Sequence, residues 1–145
     1  MQGLEKLKPL GLLLLRFALG IIFVYHGYPK LFTHTRESMQ GFVRMGFPGY
    51  FAYISGVLEF FGGLILAAGL FTRIAALLLA GEMAVALWRV HGLFTAPQDV
   101  HNYEFPLIVA TSCFALVTLG AGLISFDHLI FRAGGRSTKK TKRRE

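Results

Sequence analysis

The chain has 145 residues, enough for one domain at roughly 100 to 200 residues each; 54% are hydrophobic, the mean hydropathy is +0.54, and only 16% are charged. Because a soluble domain is about 25% charged, this composition indicates a membrane protein. Lys and Arg number 15 against 8 Asp and Glu, but the last 14 residues, Arg132 to Glu145, hold seven of the cations and one acid, which leaves a body with a formal charge of +1. The pI of 9.9 therefore describes a tail and supplies no basic face for nucleic acid.

The single cysteine, Cys113, excludes an intrachain disulfide, a CxxC redox pair and a thiolate zinc site. It lies in apolar text, where it packs as a small hydrophobe. No metal site is expected.

Apolar runs at 10–28, 51–71, 74–90 and 105–126 approach the roughly 20 residues that cross about 30 Å of hydrocarbon. They lack the alternation of barrel strands, and in lipid every backbone polar group needs an internal partner. The expected fold is all-α: an integral membrane bundle of four transmembrane helices over residues 1–131. The first run follows Lys6 and Lys8 as a signal peptide would, but His26-Gly27-Tyr28-Pro29 is no small-residue cleavage site, so the run is expected to remain as a helix.

Four spans place both termini on one side, with the turn at 71–73. That side carries Lys6, Lys8, Arg73 and the seven cations of the tail; the other carries Lys30, Arg36, Arg44 and Arg89. The positive-inside rule puts both termini in the cytoplasm of a multi-pass protein. Residues 132–145 have no apolar periodicity and are expected to be a disordered polybasic tail that anchors on anionic lipid. The segment from Pro29 to Tyr50, with its Pro, Gly and aromatic residues, reads as folded or interfacial. The loop from His91 to Glu104 adds His101 and Asp99 to the same side. LAAGLFTR at 66–73 resembles LGAGLISF at 119–126, a match short enough to arise from apolar composition alone.

Arg16, Glu59 and Glu82 fall inside the spans, where an ionisable group costs about 2.5 to 3.5 kcal/mol at the bilayer centre. At about 1.5 Å rise per residue they lie roughly 9, 17 and 12 Å from the cytoplasmic boundary, so one layer of the bundle is expected to hold all three. Arg16 would then fork to one carboxylate and leave the other desolvated. Arg89 follows Glu82 by two helical turns on the same face, and the polar line would run Arg16, Glu59, Glu82, Arg89 toward His26, His91 and His101. Two readings stand: a salt-bridge network that specifies helix pairing, with Arg16 snorkelling to headgroups, or a site that handles a proton or a ligand. Gly20 and Gly27 on the face of Arg16, and Gly62, Gly63 and Gly69 near that of Glu59, allow close helix packing. His26 and His91 end parallel helices at similar height. That favours a quinone headgroup over a haem.

The order of Arg16-Phe-Ala-Leu-Gly20, His26-Gly-Tyr-Pro-Lys30, Gly56-Val-Leu-Glu59, Gly62-Gly63, Gly69-Leu-Phe-Thr-Arg73, Glu82-Met83 and Gly120-Ala-Gly-Leu-Ile-Ser125-Phe-Asp127 resembles the DoxX family of small bacterial membrane proteins. The resemblance implies a four-helix protein of the bacterial cytoplasmic (inner) membrane. It further implies an association with thiosulfate:quinone oxidoreductase subunits, oxidative-stress membrane complexes and responses to catechols and quinones. Arg16, His26, Lys30 and Glu59 fit the family pattern, whereas Glu82, Trp88 and Arg89 stand where the family often has a methionine-rich apolar run. His26, Lys30, His91 and His101 are the candidates for a quinone headgroup.

The leading expectation is a subunit or accessory of a quinone- or thiol-linked redox system that works with a soluble redox enzyme and is not an enzyme by itself. Two alternatives remain open: a scaffold that recruits a soluble partner, and a small-solute or proton transporter that acts as a homo-oligomer.

Overall fold

The computed structural model describes residues 5–91 and 100–130, and all regular structure among them is helical. The polybasic tail and Asp99 lie outside the described residues. Helix α1 (Lys8–Tyr28) starts with Pro9 in its first turn, where a missing N–H costs nothing. Pro29 cannot donate to the turn before it and its ring crowds that turn. The chain nevertheless continues as a π-helical turn, Pro29–Thr33, closed by His34 N–H donating to the Pro29 carbonyl at 2.8 Å. After it come α2 (Thr35–Arg44), α3 (Phe51–Ala68), α4 (Thr72–Arg89) and α5 (Val100–Leu119), with a last helical turn over 126–130.

Among the described residues three segments are long and apolar enough to cross a membrane: Lys8–Thr33, Phe51–Ala68 and Val100–Leu119. Helix α4 has 18 residues, but Arg73, Glu82 and Arg89 lower its hydropathy below theirs. The fourth run, expected at 105–126, is displaced: its helix begins at Val100 and stops at Leu119. Gly120 and Gly122 take φ of 77° and 79°, a conformation in which the α-helix ends. The apolar residues after them belong to a turn that folds back under the bundle.

Helices α1 and α3 run antiparallel and meet through glycine. A Cβ on Gly20 would lie 2.8 Å from the Gly63 carbonyl oxygen, and one on Gly27 would lie 2.5 Å from the backbone nitrogen of Phe60. In lipid such close backbone approach replaces the hydrophobic drive. Helix α4 packs along α5 and more lightly against α3. Leu19, Phe23, Leu66, Leu79, Cys113 and Leu116 fill the core between the pairs, while Leu14, Phe17, Ile21, Phe61 and Phe114 point outward, as lipid-facing side chains do.

The bundle has a proximal end, where α1 begins, and a distal end, which carries the π turn and α2. The two similar segments noted in the sequence both finish at the proximal end. Gly69 closes α3 at φ 73°, with Leu70 N–H reaching back to the Ile65 carbonyl, and accepts the Asp127 N–H at 2.8 Å on its own carbonyl oxygen. In return the Asp127 carboxylate caps α4, Oδ1 accepting Phe71 N–H at 2.7 Å and Oδ2 accepting Thr72 N–H at 2.9 Å. This double cap holds Phe71 at φ 46°, a conformation that side chains disfavour.

Asp127→Ala is expected to lower thermal stability in lipid by about 1 to 2 kcal/mol through loss of this N-terminal cap. Asp127→Asn, which keeps one acceptor, should cost less. Gly69→Ala and Gly120→Ala both force alanine into a left-handed conformation at about 1 to 2 kcal/mol, but only at Gly69 does the new methyl run into the Arg16 guanidinium and the Ser125 Cβ. Unfolding measurements on the two variants should therefore rank Gly69→Ala as the more destabilised.

Candidate polar site inside the bundle

Four polar side chains from three elements meet toward the distal end. The π turn supplies Lys30, α3 supplies Ser55 and Glu59 one helical turn apart, and α4 supplies Glu82. Lys30 Nζ donates to Glu59 Oε2 at 2.6 Å and to Ser55 Oγ at 2.8 Å, and Ser55 Oγ in turn donates to Glu82 Oε1 at 2.5 Å. Glu59 is 3% exposed, and the Lys30 side chain is mostly covered. The ammonium also lies 5.7 Å from the centre of the Phe42 ring, which places α2 over it. Glu82 Oε2 is buried and has no hydrogen-bond partner.

Local sequence explains the convergence. Gly27 and Gly56 let α1 and α3 touch where Glu59 lies, and a side chain on Gly56 would press on Lys30 and Leu31. The extra residue in the π turn falls at this point, as such bulges often do at functional sites.

Arg16 does not join this layer, contrary to the sequence expectation. It sits at the proximal end, where Nη2 donates to the Ile124 carbonyl oxygen and the guanidinium lies against Gly69. Gly27, which faces Glu59, is eleven residues further along α1, about 16 Å at 1.5 Å per residue. Helical side chains lean toward the N-terminus, which carries the Arg16 head further away. Lys30 takes the place the sequence reading gave to Arg16.

Arg89 also leaves the polar line. It is exposed, and its guanidinium lies 5.7 Å from the ring centres of Phe47 and Trp88. His26 is exposed beside the cluster, with Nδ1–H donating to the Ile22 carbonyl at 2.8 Å and its ring stacked 6.0 Å from that of Phe105. This puts a proton on Nδ1 and fixes the orientation of the ring. His91 is half-buried just beyond α4, and His101 is exposed and lies 3.1 Å from Glu104. The structure thus joins Lys30, Glu59 and Glu82, keeps His26 adjacent, and separates Arg16, Arg89 and His101.

The DoxX family model matches residues 11–92, more than half of the chain. The protein belongs to the DoxX family. It is 32% identical over 129 residues to "Putative oxidoreductase CatD" of Bacillus subtilis (strain 168), which covers 89% of this chain and 93% of that protein. Identity to "Inner membrane protein YqjF" of Escherichia coli (strain K12) is 29% over 129 residues, 88% and 97% of the two chains. An "Uncharacterized protein" of Haemophilus influenzae is 32% identical over 136 residues, 91% and 99% of the two chains. No solved structure matches the chain.

Two residues that matter to this DoxX-family fold were not singled out as candidates from sequence. Ser55 joins Lys30, the partner of Glu59, to Glu82, and its position four residues before Glu59, hence on the same helix face, was the available signal. Asp127 locks the proximal end. It stood in the resemblance only as the last letter of a Gly-rich stretch, and its partners lie 55 and 56 residues away.

Proposed function

We propose that this DoxX-family protein is a quinone-linked membrane redox component, working with a soluble redox enzyme, and that Lys30, Ser55, Glu59 and Glu82 hold a quinone headgroup and exchange its protons. The observation that carries the reading is the buried, unpartnered Oε2 of Glu82 at the end of a continuous hydrogen-bonded chain. A buried polar atom without a partner is costly, and inside a bilayer it is a mark of function. One ammonium faces two carboxylates, so the cluster is neutral only when it holds one added proton.

The donor set suits a quinone. Lys30 has three N–H donors and uses two, and a protonated Glu82 would donate from Oε2; a quinone carbonyl oxygen accepts from either. The quinone supplies the electron-transfer chemistry when bound. The chain's own residues orient the headgroup and hold or release a proton at Glu82 Oε2, with His26 and Phe105 as aromatic cover beside them. Cys113 is fully buried in the core, which favours the quinone-linked over the thiol-linked reading. The name of the Bacillus relative as a putative oxidoreductase supports the same class.

In this reading α4, packed along α5 and against α3, is the fourth span, and both termini are cytoplasmic. The name of the Escherichia coli relative as an inner membrane protein supports the inner membrane.

The test is quinone content. Protein purified in native lipid without detergent is expected to retain about one quinone per binding unit, by extraction and mass spectrometry, and to lose it in Glu59→Gln and Lys30→Met but not in Arg16→Gln. A folded protein without quinone would sink the proposal and turn attention to a scaffold that recruits a soluble partner.

A further inference from the structure

Arg16 takes no part in the Lys30 cluster, and it is the largest fully buried side chain among the described residues, at 0% exposure. Of its five N–H donors, one group is engaged: Nη2 donates to the Ile124 carbonyl oxygen, while Nε and Nη1 have no partner. The carboxylate at that end, Asp127, is occupied by the Phe71 and Thr72 N–H groups. Asp127 is near enough to act on Arg16 through charge but makes no hydrogen bond to it, and buried guanidinium nitrogens without hydrogen-bond partners are costly in a protein interior.

Beside Arg16 the proximal end opens into a cavity of about 480 Å³, lined by Leu13, Phe17, Ala68, Leu123 and Leu129 along with Arg16 itself. Phe17, Leu123 and Leu129 are exposed apolar residues. The cavity wall is therefore continuous with the surface that faces lipid. It lies where α1 begins and α3 and α5 end, at the level where a bilayer changes from hydrocarbon to headgroups. The absence of a side chain at Gly69 makes room for the guanidinium, since a Cβ there would run into it.

We propose that Arg16 and this cavity form a binding site for a phosphate group, with the apolar wall taking the acyl chains when the phosphate is that of an anionic phospholipid. The planar guanidinium presents two free donors to one anion, the geometry in which arginine binds phosphate through paired charge-assisted hydrogen bonds. This site is at the opposite end of the bundle from Lys30 and does not depend on the quinone reading. Every variant below retains the basic tail, so differences among them do not come from it.

The full-length protein is placed in phosphatidylcholine nanodiscs, and thermal unfolding and native mass spectrometry are followed as phosphatidylglycerol or inorganic phosphate is added. For wild type, binding of phosphatidylglycerol about tenfold or more tighter than phosphatidylcholine, whose phosphate is already neutralised by its own choline, is expected, the scale of one charge-assisted hydrogen bond. Arg16→Gln should abolish the preference. Ala68→Phe, which fills the cavity and keeps the arginine, should abolish it too and covers the case in which Arg16→Gln does not fold. Arg73→Gln removes an exposed cation from the same end that does not line the cavity and should leave the preference unchanged.

Stabilisation by phosphatidylglycerol alone assigns the phosphate to a lipid. Equal stabilisation by inorganic phosphate, lost in Arg16→Gln, assigns it to a free anion. No preference in wild type, or one that survives in both Arg16→Gln and Ala68→Phe, overturns the proposal.

Discussion

Lys30→Met is expected to destabilise the protein in lipid by about 3 to 5 kcal/mol, because it leaves the Glu59 carboxylate buried beside no counter-charge. The pair is tight, at 2.6 Å, and Glu59 is 3% exposed, so water cannot replace the lost ammonium without opening the helices. The same change strips Ser55 of the donor it accepts from and weakens its grip on Glu82. The double variant Lys30→Met with Glu59→Leu removes both charges, and such replacements are often neutral or stabilising. It should recover most of the loss. Reversible unfolding of the single and double variants, closed into a mutant cycle with Glu59→Leu, checks this. A double variant whose loss equals the sum of the Lys30→Met and Glu59→Leu losses would show that the ion pair contributes little.

The separation of stability from function is sharpest in that double variant. If it folds as well as wild type yet retains no quinone, the cluster exists for chemistry. If it keeps both fold and activity, the cluster is helix-pairing glue and the site is misassigned.

Gly27→Val has the second large effect. Its Cβ would fall 2.5 Å from the Phe60 nitrogen, 2.9 Å from the Gly56 carbonyl oxygen and 3.0 Å from the Glu59 Cβ. Two of these are backbone atoms that no rotamer change can move, so α1 and α3 must separate. Overpacking costs about 1 to 3 kcal/mol where side chains can adjust, and more where they cannot, so about 3 kcal/mol or more is expected. Separation would also pull the π turn, and Lys30 with it, away from Glu59. Gly81→Ala is the contrast, since nothing lies within 4 Å of a Cβ there and the residue is inside α4. Alanine should stabilise that helix by about 0.5 to 1 kcal/mol. Thermal unfolding of the two variants in lipid should move in opposite directions.

Much of the fold was legible because lipid makes few demands that composition does not reveal. Long apolar runs gave helices near the positions expected, and Gly20, Gly27 and Gly63 marked the closest helix pair. The shift of the last helix to Val100–Leu119 was not legible from hydropathy. Apolar text continues through Leu123, Ile124 and Phe126, and only the backbone at Gly120 and Gly122 stops the helix.

The site was legible in its members and not in its pairing. Glu59 and Glu82 stood out as charges inside apolar text, and they are joined through Lys30 and Ser55. Lys30 reads from sequence as a loop cation following proline, and only a π turn that extends α1 brings it inward. Arg16 was placed by the height of its Cα, but a long side chain leaning toward the start of its helix ends most of a turn lower. Depth estimates from Cα position fail most for the longest side chains.

In the proposed site Glu82, at the end of the Glu59–Lys30–Ser55 chain, exchanges a proton with a bound quinone. Infrared difference spectroscopy of the protein in native lipid, recorded as the quinone pool is reduced, tests it most directly. A carboxyl band is expected that changes on reduction, shifts in deuterated water, disappears in Glu82→Gln and persists in Arg16→Gln. A spectrum without a carboxyl change, or one that is the same in Glu82→Gln, would contradict it.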